Sequence, residues 1–251
     1  SRHGIYHGVA EGRRAALAAI EQHFGVALLY GTRRFGNCTS ELLLVDAAHA
    51  HQQEADQFKA LCWERFGLDS LRHSANTEYN LAMATARPLL AAVEALALDG
   101  GGHYSRPVLL AHGWAAMPAA LAAQMNHPAQ WRTVFYAHEM PAARRLVEEK
   151  PGHDTAFYNV LAKAKEWNLS LEAVYGSQEG DHRHPLLRLA TRCDAVFAIS
   201  DTVADELRFL GGRFANAKIE LVYNGCSGVS PTLAEKLESR ARLQQYAEKL
   251  L

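Results

Sequence analysis

The sequence lacks an excess of charge of either sign. Its 26 basic residues (Lys and Arg) stand against 27 acidic residues (Asp and Glu), so its formal net charge is −1. The basic residues are scattered along the chain, and no surface for nucleic acid or for an acidic membrane is therefore predicted. Long hydrophobic runs are missing as well, because no apolar stretch approaches the ~18 residues of a membrane-spanning helix. We therefore expect a soluble globular protein that neither binds nucleic acid nor spans a membrane.

Cysteine is scarce, and no two cysteines have the CxxC spacing of a redox or metal motif. The four residues are Cys38, Cys62, Cys193 and Cys226. This usage favours a reduced intracellular protein with buried thiols over a disulfide framework, and we expect a cytoplasmic protein. A chain of 251 residues fits one large domain or two small ones.

Six short apolar runs have the length and composition of buried parallel strands. They cover residues 25–32, 41–47, 107–113, 132–138, 194–200 and 218–225. Helical patterns lie between them, and the longest passes Pro88, where we expect a kink or a break. Strands that alternate with helices predict an α/β fold with a doubly wound, mostly parallel, Rossmann-like sheet.

Polar and aromatic side chains stand where several of the predicted strands end. In an open parallel sheet, ligands bind in the crevice beyond the carboxyl ends of the strands. His112 ends the third run and His138 ends the fourth, so two imidazoles are expected at one rim. A neutral imidazole exchanges hydrogen bonds with a hydroxyl, and an indole such as Trp114 stacks on the apolar face of a sugar. The other strand-end residues are Glu139, Asp201, Asn224 and Gly225.

A structural interpretation of His138 stays open, in which its ring is part of the core and bonds to a loop carbonyl.

The early glycines Gly4, Gly8 and Gly12 precede or open a helix, where exposed N–H groups suit a phosphate. Their spacing is not GxGxxG, so an ordinary helix start is favoured when they are taken alone.

Two further motifs are assigned no chemistry. The histidines within 49–51 and 182–184 have no third ligand, so we expect solvated loop histidines and no metal site. The segment 109–114, LLAHGW, is similar to the oxyanion segment of α/β-hydrolases. That family needs a GxSxG nucleophile elbow, and because the chain has none we exclude it.

Six segments, in order, resemble the amino-terminal domain of a retaining glycosyltransferase of GT-B fold, closest to the glycogen synthase group. The segments are GIYHGV (4–9), LCWERFGLDS with NTEYN (61–80), LLAHGWAAMPA (109–119), TVFYAHEMPAARR (133–145), HRHPLLRLATRCDAVFAISDTVADEL (182–207) and LVYNG (221–225). The resemblance therefore runs from residue 4 to residue 225.

This resemblance implies transfer of a sugar from a nucleotide-sugar donor (UDP-, ADP- or GDP-sugar) to a carbohydrate or other hydroxyl acceptor, without a metal or another cofactor. It assigns catalytic roles to His138 and Glu139 and places His112 and Trp114 in the acceptor cleft. The residues that it assigns to the donor and its phosphates are Gly4, Ile5, Arg144, Asn224 and Gly225. From the residues alone, Arg144 fits a solvated helix face as well as an anion contact.

The resemblance also implies a division of the chain. Residues 1–225 are expected to form the Rossmann-like, acceptor-side domain, and 226–251 a linker and helix that lead to a second, donor-binding domain absent from the chain. The chain alone is therefore expected to be inactive. Ser1 and His3 stand where the family has a lysine and a glycine. This difference leaves a second hypothesis open, a non-catalytic carbohydrate- or partner-binding domain that keeps the same half-fold.

Overall fold

The computed structural model describes residues 5–35, 38–96, 106–126, 130–140, 154–225 and 232–250. The strands are β1 (Ile5–Tyr6), β2 (Ala27–Phe35), β3 (Cys38–Asp46), β4 (Val108–His112), β5 (Arg132–Ala137), β6 (Ala195–Ala198) and β7 (Ile219–Leu221). The α-helices are α1 (Glu11–Phe24), α2 (Gln52–Phe66), α3 (Thr77–Ala95), α4 (Met117–Asn126), α5 (Asp154–Glu166), α6 (Leu171–Tyr175), α7 (Arg183–Arg188), α8 (Asp201–Phe209) and α9 (Leu233–Leu250). Short 3-10 helices cover Leu71–His73, Trp114–Ala116, Leu189–Arg192 and Gly212–Asn216. Within these described ranges, no helix has both the length and the apolar character needed to cross a membrane.

Strands β4 to β7 form a parallel sheet in the order β4-β5-β6-β7. Helix α4 connects β4 to β5, and helix α8 connects β6 to β7. Parallel neighbours need such crossovers because each strand must start again from the same edge of the sheet. The sheet confirms the predicted α/β fold with a Rossmann-like parallel sheet, and its strands match the last four predicted runs.

The first two predicted strands do not join this parallel sheet. Strands β2 and β3 pair with each other in antiparallel register, and the short β1 lies parallel to β2 in the same mixed sheet. The prediction of parallel strands at 25–32 and 41–47 is therefore wrong. Only Gly36 and Asn37 separate β2 from β3 in the sequence. Two residues can join antiparallel strands, whereas a parallel pair needs a crossover of roughly a dozen or more.

Polar caps fix the starts of two helices that border the site described below. The Asn76 side chain accepts a hydrogen bond from the Tyr79 amide at 2.8 Å and caps α3. The Ser200 hydroxyl accepts one from the Val203 amide at 3.2 Å and caps α8. Such caps stabilise a helix because they satisfy amide groups that have no partner within it.

Helix α3 continues through Pro88 to Ala95, so the predicted break at this proline does not occur.

The larger hydrophobic core packs helices against the parallel sheet. At its centre, the strand β5 residues Phe135 and Ala137 are fully buried. Cys62 and Cys193 belong to the same cluster, and burial raises the pKa of the Cys62 thiol to about 12 and that of Cys193 to about 11. Cys38 is exposed, so the expectation of buried thiols is wrong for this residue, and Cys226 lies outside the described residues.

Asp194 ties the start of β6 to the start of β5. Its carboxylate accepts hydrogen bonds from the Thr133 amide at 2.8 Å, from the Thr133 hydroxyl at 3.2 Å and from the Arg132 guanidinium at 2.9 Å. Burial by itself would raise the pKa of Asp194. The Thr133 amide first, and then the bonds from Arg132 and the Thr133 hydroxyl, outweigh burial and hold the pKa below its usual value.

We expect Asp194→Asn to lower the free energy of unfolding at pH 7 by about 1 kcal/mol, a modest loss because the ion pair with Arg132 is solvent-exposed. A depressed carboxyl pKa stabilises the fold above the unfolded value of about 3.9, and this contribution disappears as the pH falls through the folded value. The difference between wild type and variant should therefore shrink below about pH 4. Urea denaturation across this pH range measures it, and a difference that is constant with pH would contradict the assignment.

Candidate functional site

His112 and His138 meet at the carboxyl edge of the parallel sheet. His112 is the last residue of β4 and lies opposite Tyr136 of β5. His138 follows Tyr136 by two residues, and side chains at that spacing on a strand share one face of the sheet. His112 Nδ1 and His138 Nε2 are 2.7 Å apart, and the ring centroids are separated by 4.9 Å. The structure thus brings together the two histidines that the sequence placed at one rim.

The short contact between the rings couples their protonation. One of the two facing nitrogens carries the shared proton and the other accepts it, because two neutral lone pairs or two N–H groups would repel each other. In the neutral pair, the outer nitrogens His112 Nε2 and His138 Nδ1 must then be one donor and one acceptor. A sugar hydroxyl also donates and accepts at once, so this pair matches the chemistry of two neighbouring hydroxyls.

The pKa of His112 lies below the ordinary histidine value, first because burial disfavours the charged ring and second because His138 is close. A neutral ring keeps an acceptor nitrogen, which a protonated ring would lose.

Tyr136 supports both imidazoles from the same face of β5. Its ring centroid is 4.5 Å from that of His138 and 5.3 Å from that of His112. Its hydroxyl donates towards the Val222 carbonyl oxygen at 2.5 Å and towards Asn224 Oδ1 at 3.0 Å. The segment after β7 is therefore fixed to the rim through this tyrosine. Sequence reasoning missed Tyr136, although its position two residues before His138 in a strand was the available signal.

Asp201 and Tyr223 extend the rim beyond β6 and β7. The Tyr223 hydroxyl donates to Asp201 Oδ2 at 2.8 Å, and this hydrogen bond raises the pKa of Tyr223. Asn224 and Gly225 follow Tyr223, and both are exposed. The predicted residues after β7 are thus placed on the same edge of the sheet as the imidazole pair.

Trp114 lies next to the imidazole pair in the sequence but faces other partners. Gly113 turns the chain after β4 with a φ of 68°, a left-handed value that favours glycine. The half-buried indole of Trp114 then meets the His182 ring edge-on, with the ring centroids 5.0 Å apart. His182 Nδ1 is 3.2 Å from Nδ2 of the Asn76 side chain, and His182 Nε2 is 3.5 Å from a Glu78 carboxylate oxygen.

The prediction of solvated histidines within 182–184 is wrong. His182 is largely covered by Trp114 and by the start of α3, and His184 is fully buried. Burial lowers the pKa of His184, and the nearby Arg188 charge lowers it further. Sequence reasoning missed these environments because Asn76 and His182 are 106 residues apart in the chain.

Two further predicted site residues, Glu139 and Ile5, lie within the described residues. Glu139 follows His138 and is exposed. Ile5 lies in β1 of the mixed sheet, where it pairs with Leu29 of β2. Gly4 and Arg144 lie outside the described residues.

Among the residues that the structure describes, no group of three or more His, Cys, Asp or Glu side chains is arranged to hold a metal ion. The site consists of two coupled imidazoles and the Tyr136 ring that contacts both, and the indole of Trp114 lies beyond Gly113 against His182. No protein-family model matches the chain, and no curated protein matches its sequence.

Proposed function

We propose that the chain provides the acceptor-side domain of a retaining glycosyltransferase, which moves a sugar from a nucleotide-sugar donor to a carbohydrate or other hydroxyl acceptor. The observation that carries the proposal is the pairing of His112 with His138 at the carboxyl edge of the parallel sheet. This is the edge at which open α/β sheets bind their ligands.

The coupled imidazoles support recognition of a sugar ring. With one outer nitrogen as donor and the other as acceptor, they can bind two hydroxyl groups of one sugar in a fixed sense. Tyr136 holds both rings in place, so binding costs little side-chain entropy. Each such hydrogen bond is worth about 0.5–1.5 kcal/mol. We assign His138 to the transferred sugar and His112, with Trp114, to the acceptor side.

The transfer itself breaks the bond between the anomeric carbon and the donor phosphate oxygen and forms a bond from that carbon to the acceptor oxygen. In the proposed reaction the acceptor proton leaves with the phosphate, so no metal or redox partner is needed to balance it. His138 orients the sugar during this exchange, and Glu139 follows it at the end of β5. Contacts to the donor phosphates are assigned to Gly4, Ile5 and Arg144 by the sequence resemblance alone.

A carbohydrate-binding domain without catalysis is the second candidate function. It is favoured by the character of the described rim, where hydrogen-bonding and aromatic groups prevail and burial lowers the pKa of His112. Such groups are sufficient to bind a sugar without any chemical step.

Transfer of labelled glucose from UDP-, ADP- and GDP-glucose to maltoheptaose separates the two candidates. The proposal predicts transfer by the full-length protein that the gene encodes. Binding of maltoheptaose without transfer from any of these donors, or from the corresponding mannose and galactose donors, would instead support the binding domain.

Sugar binding by the chain alone should depend on the rim. We expect His112→Ala and Trp114→Ala each to raise the Kd for maltoheptaose by about threefold to tenfold, because each removes one hydrogen bond or one stacking surface. Isothermal titration calorimetry measures this change. His49→Ala is the matched control, since His49 is an exposed histidine of another segment. Equal losses in the control and in the rim variants would contradict the assignment.

A further inference from the structure

A cleft of about 330 Å³ lies on the opposite edge of the parallel sheet from the imidazole pair. Its walls come from residues that precede β6 (188, 189, 191 and 192), residues that precede β7 (211, 213 and 214), and residues 66–69 at the end of α2. Because β6 and β7 are parallel, residues before them lie at the amino edge, whereas the imidazole pair lies at the carboxyl edge. A strand of four residues such as β6 spans about 13 Å, so the two sites are separate.

Arginine side chains dominate the polar part of this cleft, which Arg188, Arg192 and Arg213 all line. The acidic residues of the cleft already have cationic partners. Glu179 lies 3.3 Å from Arg188 and 3.6 Å from Arg72, and Asp69 lies 3.8 Å from Arg72. These contacts reduce the repulsion that the two carboxylates would exert on an anion in the cleft.

Arg192 and Arg213 differ from Arg188, which forms an ion pair with Glu179. Within the described residues, no carboxylate forms an ion pair with Arg192 or with Arg213. The Arg192 guanidinium lies over the Phe66 ring, 5.2 Å from its centroid, and Gln124 donates a hydrogen bond to the Arg192 carbonyl oxygen at 3.1 Å. This contact with the ring restricts the guanidinium before any ligand arrives, so less entropy is lost when its N–H groups bind an anion.

The floor of the cleft is apolar. Leu68 and Phe214 line it and are almost fully buried. A volume of about 330 Å³ exceeds what a single inorganic anion occupies and falls within the range of small-molecule sites. The cleft therefore combines two arginine guanidinium groups with an apolar surface and enough room for a small organic molecule.

We propose that this cleft binds a phosphate-bearing small anion through Arg192 and Arg213. Guanidinium groups bind phosphate oxygens through paired N–H donors, and two of them can share one tetrahedral phosphate. The carboxylates of Glu179 and Asp69 line the same cleft, where they can accept hydrogen bonds from hydroxyl groups on the rest of the ligand. This site is independent of the glycosyltransferase proposal.

The test is calorimetric titration of the protein with inorganic phosphate and with glycerol 3-phosphate, at constant ionic strength. We expect binding of at least one probe with a Kd below about 10 mM and a loss of about tenfold in Arg192→Gln and in Arg213→Gln. Arg240→Gln, at an exposed arginine of α9, is the matched control and should bind as the wild type does. Tighter binding of glycerol 3-phosphate indicates a phosphorylated small molecule, and equal binding indicates free phosphate.

A second measurement covers the case in which a variant loses structure. Phenylglyoxal modifies accessible guanidinium groups, and mass spectrometry of the wild-type protein locates the modified residues. We expect the better-binding probe to protect Arg192 and Arg213 but not Arg240. Absence of binding by both probes, unchanged binding in both variants, or protection that does not include these two arginines would overturn the proposal.

Discussion

Replacement of His138 by alanine in the full-length protein is expected to lower kcat for sugar transfer by more than about tenfold, which is about 1.4 kcal/mol of barrier. Under the proposed function, the variant removes the ring that orients the transferred sugar. It also leaves His112 Nδ1 without the partner that lies 2.7 Å away in the wild type, so the tautomer of the remaining imidazole is no longer fixed. Initial rates at saturating donor and acceptor measure this loss.

The proton coupling predicts a pattern among further variants. His138→Gln keeps an amide that can bond to His112 and should retain more activity than His138→Ala, while His49→Ala should match the wild type. A fall in kcat with little change in the acceptor KM would indicate an interaction made in the transition state. Unchanged kinetics in His138→Ala would return His138 to a purely structural role.

Phe135→Ala is expected to have the largest effect on stability, a loss of about 3–5 kcal/mol in the free energy of unfolding. Phe135 is fully buried at the centre of β5, on the face opposite Tyr136, and its removal leaves a cavity between the sheet and the helices. The same strand carries Tyr136 and leads into His138, so the site should lose order together with the core. Urea denaturation monitored by circular dichroism measures the change.

Trp63→Ala is the matched control for this core variant. Trp63 is an even larger aromatic residue, but 59% of it is exposed on α2. Its replacement should change the free energy of unfolding by less than about 0.5 kcal/mol. A similar loss in both variants would contradict the assignment of Phe135 to the core.

The strands of the parallel sheet could be predicted because each is a short, continuous apolar run, although β4 exposes Val108 and Leu110 while β5 is buried along most of its length. Run 132–138 became β5 within one residue at its carboxyl end, and run 107–113 became β4. The order of strands and the antiparallel pairing of β2 with β3 were not predicted, since an apolar run records burial but not the direction of its neighbour. The short separation of β2 from β3, which is only Gly36 and Asn37, is what indicates their antiparallel direction.

The site was predictable to the extent that it depends on strand ends. His112 and His138 could be placed at one rim because carboxyl ends of parallel strands share an edge. The 2.7 Å contact between them could not be foreseen, because it depends on the register of β4 against β5. The contact of Trp114 with His182 was also missed, since it joins segments that are distant in the chain.

The most direct test of the account is a titration of ¹⁵N-histidine-labelled protein with maltoheptaose, followed through the imidazole ¹H–¹⁵N correlations. Ligand contact at the outer nitrogens should shift the tautomer balance of both rings together, because they share one proton. We expect the His112 and His138 signals to move with a common Kd while the His49 signal keeps its position. Saturable binding that leaves both signals in place, or no binding of the oligosaccharide, would contradict it.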